Sequence, residues 1–470
     1  MPRKPKHNHS MAVTVLTVLI LLMIAATVWV FRLCLELSSQ LPEASAKPGA
    51  TIALPTHPEE TTQAATAPTE TAATEPEYTV ATATVGVVGD LLMHKQLFQQ
   101  ASKSVSYQAD GSYDFSAIFQ YVQEYTQSYD YAVANLETTL SGDDYPYQGN
   151  PHFNCPDALL DSVQDAGFDM LLTANNHIND CKQPGLLRTM EQIQSKGLAY
   201  LGSRQSQEEP RYSVVDVNGI RIGMVCYTFT TSMLGDKPRL NGDNPMEDPA
   251  LINYFSTGKL NAFYSEMEEV YAGMEAAGAE ATVLYIHWGN EYELTQNATQ
   301  EKIAQKMCDM GFDVIVGGHP HVVQPMDLLE STVDPDHKTV CIYSLGNVVS
   351  NQRIAEMRLK TGHTEDGVLL TMTFEQDLNG DVFLSATDVL PTWTNMHYNN
   401  GGREYNIVPL ENARRDQWAE LYGLDDSTLA QAEASYDRTR EMVGQGLEKC
   451  QSWLTDRNTA RELGYRANAA

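Results

Sequence analysis

Basic residues are scarce in this chain. Its 470 residues carry 31 Lys and Arg against 61 Asp and Glu, a formal net charge of −30. A surface of that sign repels polyanions over most of its area, which disfavours DNA and RNA as partners, and no nucleic acid is expected. Its plain consequence is solubility and self-repulsion. Cysteine is sparse too, with seven residues and no Cys-x-x-Cys pair, so a dense disulfide framework is excluded. Cys226 and Cys341 fall within apolar runs that read as buried strands, and most of the thiols are expected to be free. A Cys155–Cys181 bridge stays open. No internal repeat of solenoid length is present. Large apolar residues are few between 36 and 80, where Thr, Ala, Pro and Glu dominate; such a segment cannot bury enough surface to fold and reads as an extended spacer.

One long uncharged apolar run does occur, Met11 to Phe31. As a helix it would be about 32 Å long, enough to cross the hydrocarbon core. Arg3, Lys4 and Lys6 precede it, so the N-terminus is expected in the cytoplasm and the remainder outside. A cleaved signal peptide is the rival reading. The run is long for one, and the nearest Ala-x-Ala, Ala44-Ser45-Ala46, lies well downstream, so an uncleaved signal anchor over 11–35 is expected. Cys34 follows Phe31-Arg32-Leu33 and lacks the small residues of a lipidation site.

From Ala81 the pattern changes to alternating strands and helices. Strands are predicted over 84–88, 131–136, 168–173, 281–286 and 314–316, with helices over 115–125, 157–166, 184–196, 263–277 and 299–310. Asn218-Gly219 between 212–217 and 221–228 reads as a hairpin. The last third turns to β over 338–344, 367–374 and 382–389, and from Glu411 the chain reads as helical and polar. Strands alternating with helices and then giving way to antiparallel pairs predict a layered α/β domain, with two sheets between helices.

Polar clusters follow the buried strands in order, which is where α/β folds place their sites. Asp90 after Gly89 is either a helix cap or a hard oxygen ligand, with His94 one helical turn on. Glu137 is either an exposed strand-end residue or a carboxylate bridging two cations, with Asn135 on the same side to orient it. In Asn175-Asn176-His177 the asparagines are turn formers, or a metal ligand beside a histidine able to protonate a leaving group. His287-Trp288-Gly289 is more often core than site, with Glu291 and Glu293 as outer contacts. Gly317-Gly318-His319-Pro320-His321 is the sharpest signal: two imidazoles two residues apart on an extended segment point the same way and suit Zn, Mn or Fe. Tyr343 to Asn347 makes a turn or lines the same pocket. Lys95, Lys182 and Arg188 are the few basic residues near these clusters, which weighs against a highly charged phosphate substrate.

The ordered set Gly-Asp, Asn-Leu-Glu, Ala-Asn-Asn-His, His-Trp-Gly, Gly-Gly-His-Pro-His-Val and Tyr-Ser-Leu-Gly-Asn, from about Val85 to Asn347, resembles the bacterial capsule-synthesis family CapA, called PgsA in poly-γ-glutamate production. That family in turn resembles the calcineurin-like metallophosphoesterases. The resemblance implies a four-layer α/β/β/α sandwich over 81–410 with a dinuclear site, between the linker and a helical tail over 411–470. It implies metal roles for Asp90, Glu137, Asn176, His287, His319 and His321, with His177 as general acid. His94, Asn135, Asn175, Glu291 and Asn347 fall to the surrounding pocket. The phosphoesterase Asp-x-His is absent, the bridging aspartate is Glu137, and Asn175 replaces the glycine of Gly-Asn-His. Two functions remain open. One is an exported hydrolase using divalent Mn, Fe or Zn on a phosphoester or on an amide of an anionic polymer. The other is a non-catalytic subunit, anchored in the cell membrane, that holds an anionic surface polymer for a membrane synthase.

Overall fold

The computed structural model describes residues 79–469 apart from Asp236, Asp243 and Leu359. The expected anchor and almost all of the expected linker lie outside the described residues. Among the described residues no helix is long and apolar enough to cross a membrane.

The chain is mixed α/β. Strands β1 (Thr79–Leu91), β2 (Tyr131–Leu136), β3 (Met170–Leu172) and β4 (Ala199–Leu201) run parallel. The hairpin β5 (Tyr212–Val217) and β6 (Ile220–Phe229) turns at Asn218-Gly219, as its sequence requires, and starts a second sheet. A small hairpin, β7 (Ser232–Leu234) with β8 (Lys237–Arg239), and the short β9 (Tyr254–Phe255) lead to β10 (Ala281–His287) and β11 (Val314–Gly318). Next, β12 (Met326–Glu330) and β13 (Lys338–Ile342) complete the second sheet. The chain then returns through β14 (Asn347–Val349) to pair with the end of β1, and closes the first sheet with β15 (Asp366–Asp377), β16 (Val382–Asn399) and β17 (Gly402–Pro409). The orders are β17-β16-β15-β1-β2-β3-β4 and β12-β13-β11-β10-β6-β5.

Side chains alternate across each strand, so one strand feeds two cores. Val85 and Val87 of β1 meet Met224 and Cys226 of β6 and Val314 and Val316 of β11 between the sheets. Val88, Ala134 and Leu171 face outward against Ile118, Leu160 and Ile193 of the helices over the first sheet. Leu284 and Ile315 face outward against Met267 and Met307 of the helices Leu260–Ala276 and Ala298–Met310. All six cysteines among the described residues are buried free thiols, including Cys155 and Cys181.

Two expectations are corrected, and the C-terminal tail is helical as expected. The helix predicted over 115–125 is two short turns, Ser116–Phe119 and Gln123–Thr126. Aromatic and β-branched residues between them hold helix weakly, and Tyr121 turns aside to pack on Tyr422. The β16 strand runs ten residues past Val389 and pairs with β17 across Asn400 and Gly401, both at positive φ; this Asn-Gly turn was a hairpin signal. The polar tail contains a 44-residue helix, Asp426–Ala469, with a narrow apolar stripe. Val443, Leu447, Cys450 and Leu454, spaced four, three and four apart, enter the core between the sheets.

Gly446 on that helix lies so close to β12 that a Cβ would sit 1.7 Å from the Met326 carbonyl oxygen, whereas one at Gly444 would meet nothing. Two alanine substitutions two residues apart should therefore act in opposite directions. Gly444→Ala gains up to about 1 kcal/mol of helix propensity, while Gly446→Ala loses about 1–3 kcal/mol to overpacking. Urea unfolding of the two variants checks the signs, and a stabilised Gly446→Ala would refute this packing.

Candidate metal centre

The clusters do converge, at the C-terminal ends of β1, β2, β3, β10 and β11. Gly89 precedes Asp90 because a Cβ there would lie 1.9 Å from Gly346 O; with none, the Asp90 amide donates to that oxygen at 3.1 Å. Asp90 is fully buried. Its Oδ1 accepts from Asn135 Nδ2 at 2.7 Å, and Asn135 Oδ1 accepts in turn from Asn175 Nδ2 at 3.1 Å. Asn175 also donates to Leu136 O at 2.8 Å and accepts from the His177 amide at 3.1 Å. Asn135 thus orients Asp90 and not Glu137, because Glu137 lies beyond the end of β2.

The Gly318 to His321 segment is not extended, contrary to expectation. The strand ends at Gly318, and His319 and His321 both have positive φ, 94° and 57°. Each costs of order 1–3 kcal/mol of backbone strain and persists only where the surroundings impose it. Asn347 imposes it on His321: its Nδ2 donates to His321 O at 3.3 Å and its Oδ1 lies 3.1 Å from His321 Nδ1. The kink sends the two rings to different places. His321 Nδ1 lies 3.2 Å from Asp90 Oδ2 and its Nε2 3.8 Å from Glu137 Oε1. His319 packs edge-on against His287 and Phe229.

Two groups of ligand atoms result, each spanning no more than 4.8 Å: Asp90, Glu137 and His321, and Glu137, His287 and His319. Glu137 is common to both. His287 Nε2 lies 3.5 Å from Glu137 Oε1 and 2.8 Å from Asn176 Oδ1, which puts Asn176 beside the second group. Both Glu137 oxygens and His319 Nδ1 are buried with no hydrogen-bond partner. A buried carboxylate without donors is costly unless a cation meets it, so these buried acid and histidine groups fit a divalent metal.

The titration behaviour agrees. Burial first, then His287 and His321, holds His319 well below the usual histidine value, leaving it neutral with a free lone pair. Burial also opposes charge on His321, but Glu137 and then Asp90 outweigh it and push the ring up to about 9. Without a cation, His321 keeps a proton between the two carboxylates.

His177 stands apart from both groups. Its Nδ1 donates to Asp180 Oδ2 at 2.7 Å, and Asp180 Oδ1 accepts from Asn241 at 2.9 Å. Burial lowers its pKa, but Asp180 and then Glu137 more than reverse this, so it lies above the usual value. His94 is in no ligand group. It precedes a short turn in extended backbone and is not on a helix. Burial pushes it down to about 3, and its ring packs against Phe153, which also packs on His177. Glu291 is exposed and acts on His321 through its charge alone. Trp288 packs, its indole donating to Tyr343 O at 2.9 Å. Among the described residues no Lys or Arg bonds to these groups, and Arg188 is taken by Asp157 at 2.7 Å.

Sequence reasoning missed Asp180, Asn241, Phe229 and Tyr292. Asp180 was visible in its spacing, three residues after His177. Tyr292 has φ 67°, its amide donates to Pro320 O at 2.8 Å, and its ring faces His321. Nothing local marked it or Asn241.

Comparison with known proteins points the same way. Over 276 residues the chain is 28% identical to a "Capsule biosynthesis protein CapA" of Bacillus anthracis, covering 57% of this chain and 60% of that protein. Over 241 residues it is 28% identical to a "PGA biosynthesis protein CapA" of Bacillus subtilis (strain 168), covering 50% of this chain and 57% of that protein. The alignments thus take in only 57–60% of the length of these curated relatives. The model of the family described as bacterial capsule synthesis protein PGA_cap matches residues 84–352, a span that holds every candidate ligand. The chain therefore belongs to the bacterial capsule synthesis protein PGA_cap family.

Proposed function

We propose that this is a membrane-anchored protein with its main domain outside the cell, acting in synthesis or export of an anionic capsule polymer of the poly-γ-glutamate type. Its cleft is read as a two-cation hydrolase site on a four-layer α/β/β/α, metallophosphoesterase-like sandwich. The observation that carries this is the pair of buried ligand groups sharing the unpartnered Glu137. Asp90, Glu137 and His321 would hold one cation; Glu137, His287 and His319, with Asn176, would hold the other. When bound, such cations supply Lewis-acid polarisation of the scissile group. The protein supplies the rest. The Asn135–Asn175 amide relay fixes Asp90 and Asn347 fixes His321; a water molecule is the nucleophile, adding to the scissile phosphorus or carbonyl carbon as the bond to the leaving group breaks. His177, held by Asp180 through Nδ1, offers its Nε2 proton to the leaving group. Membrane synthase subunits are the partners this role implies. A polymer-holding subunit without catalysis is the second reading; the two ligand groups favour the hydrolase because a holding role does not require them.

Metal titration of the full chain, purified in detergent and stripped with chelator, tests the proposal. About two equivalents of Mn²⁺, Fe²⁺ or Zn²⁺ are expected in the wild type, and far fewer in a His319→Ala, His321→Ala double variant. His321 must lose its proton to bind, so affinity at its site should rise about a hundredfold from pH 6 to pH 8 and level off above about 9. A folded wild type that takes up no metal sinks the hydrolase reading. A pH-independent affinity removes His321 from the ligand set.

A further inference from the structure

We infer that Arg438, on the C-terminal helix, is a positioning residue for His321, and through it for the cation group that His321 forms with Asp90 and Glu137. The inference rests on the metal reading above. Arg438 and its partner Asp366 both lie beyond residue 352, outside the span matched to the family.

The connection can be followed atom by atom. Asp366 is buried, and Arg438 grips it with a two-pronged fork, Nε to Oδ2 at 2.8 Å and Nη2 to Oδ1 at 2.7 Å. The same Nη2 lies 3.4 Å from Gly362 O. Arg438 therefore holds both ends of the segment 362–366. Gly362 has φ 80°, and a Cβ on it would come within 3.1 Å of Arg438 Nη2, so the segment rests directly on the guanidinium.

The middle of this segment reaches the site. Thr364 O accepts from Asn347 Nδ2 at 3.0 Å, and the Thr364 hydroxyl donates to Gln352 O. Gln352 Oε1 accepts from the same Asn347 amide at 3.1 Å. With its Nδ2 fixed by Thr364, Gln352 and the His321 carbonyl, Asn347 presents Oδ1 to His321 Nδ1 and holds the left-handed kink. From guanidinium to imidazole the path runs through one clamped segment and one amide. An arginine that only anchored the helix would not need to clamp the segment whose centre supports a ligand. Asp366 and Gly362 bind it with fork geometry that lysine cannot reproduce.

The test uses Mn²⁺ titration of the full chain by calorimetry, with electron paramagnetic resonance to report whether the two ions are coupled. In Arg438→Met, affinity for one of the two equivalents should fall ten- to a hundredfold while the other is unchanged, and the coupled signal should give way to that of an isolated ion. Arg438→Lys, which keeps the charge, should show the same selective loss in part, and it carries the test if the methionine variant does not fold. The control is Arg457→Met. Arg457 lies on the same helix, stacked 4.3 Å over Trp453 and donating to Leu384 O, away from the 362–366 segment, and its loss should leave both equivalents intact. Wild-type binding in Arg438→Met, or equal weakening in Arg457→Met, overturns the inference while leaving the metal reading standing. A wild type that binds no Mn²⁺ overturns both.

Discussion

Replacing Glu137 with glutamine will strip the protein of both metal equivalents, whereas His287→Ala will remove only one. Glu137 is the single residue common to the two ligand groups. Glutamine fills the same volume but offers one weak neutral oxygen where a bridge needs two anionic ones. Content should fall from about two equivalents to near zero at micromolar free Mn²⁺, and any turnover should fall with it by at least about a thousandfold. The same substitution should weaken the metal-free protein. His321 there keeps its proton between Asp90 and Glu137, and neutralising one of the two carboxylates leaves that buried imidazolium less compensated, at a cost of about 1–3 kcal/mol. Elemental analysis and urea unfolding under chelator measure the two effects on one sample. A Glu137→Gln protein that still binds two ions would show that the groups are not bridged.

His177→Asn should do the reverse, leaving metal content untouched while lowering kcat about 10²–10⁴-fold on whichever phosphoester or γ-glutamyl substrate is turned over. The sign of the pH effect follows from its surroundings. His177 must be protonated to act as an acid, and Asp180, then Glu137, raise its pKa against the pull of burial. Activity is therefore kept below that raised value and lost as pH climbs through it. Asp180→Asn removes the largest raising influence, so its basic limb should move to lower pH. The rate–pH profiles of the two variants decide this; a profile unmoved in Asp180→Asn would separate His177 from proton transfer.

Much of this was legible in the sequence, for reasons that can be named. Parallel strands buried on both faces are written as apolar runs, so β1, β2, β10 and β11 stood out, and a polar residue ending such a run has few places to be except a cleft. The helical stripe of Val443, Leu447, Cys450 and Leu454 was diluted by the polar residues around it. The geometry at His319 and His321 was misread because a strand was assumed to continue, whereas it ends at Gly318 and the kink at His321 is held by Asn347, 26 residues on. Asn241 shows the limit most clearly. It arrives from the loop after β8 and meets Asp180 61 residues distant, a proximity set by tertiary packing alone.

The division of ligands between the sheets carries a consequence of its own. Asp90, Glu137 and Asn176 sit at or just beyond the C-terminal ends of strands of the first sheet, and His287, His319 and His321 at or just beyond those of the second. A cation gripped by both sides acts as a rivet through the seam. Free metal a thousandfold above its dissociation constant would add about 4 kcal/mol to the folded state, comparable to much of a domain's net stability. In the proposed two-cation reading, competence and cohesion rise and fall together: a chain stripped of its cations would lose a fastening as well as its reaction centre.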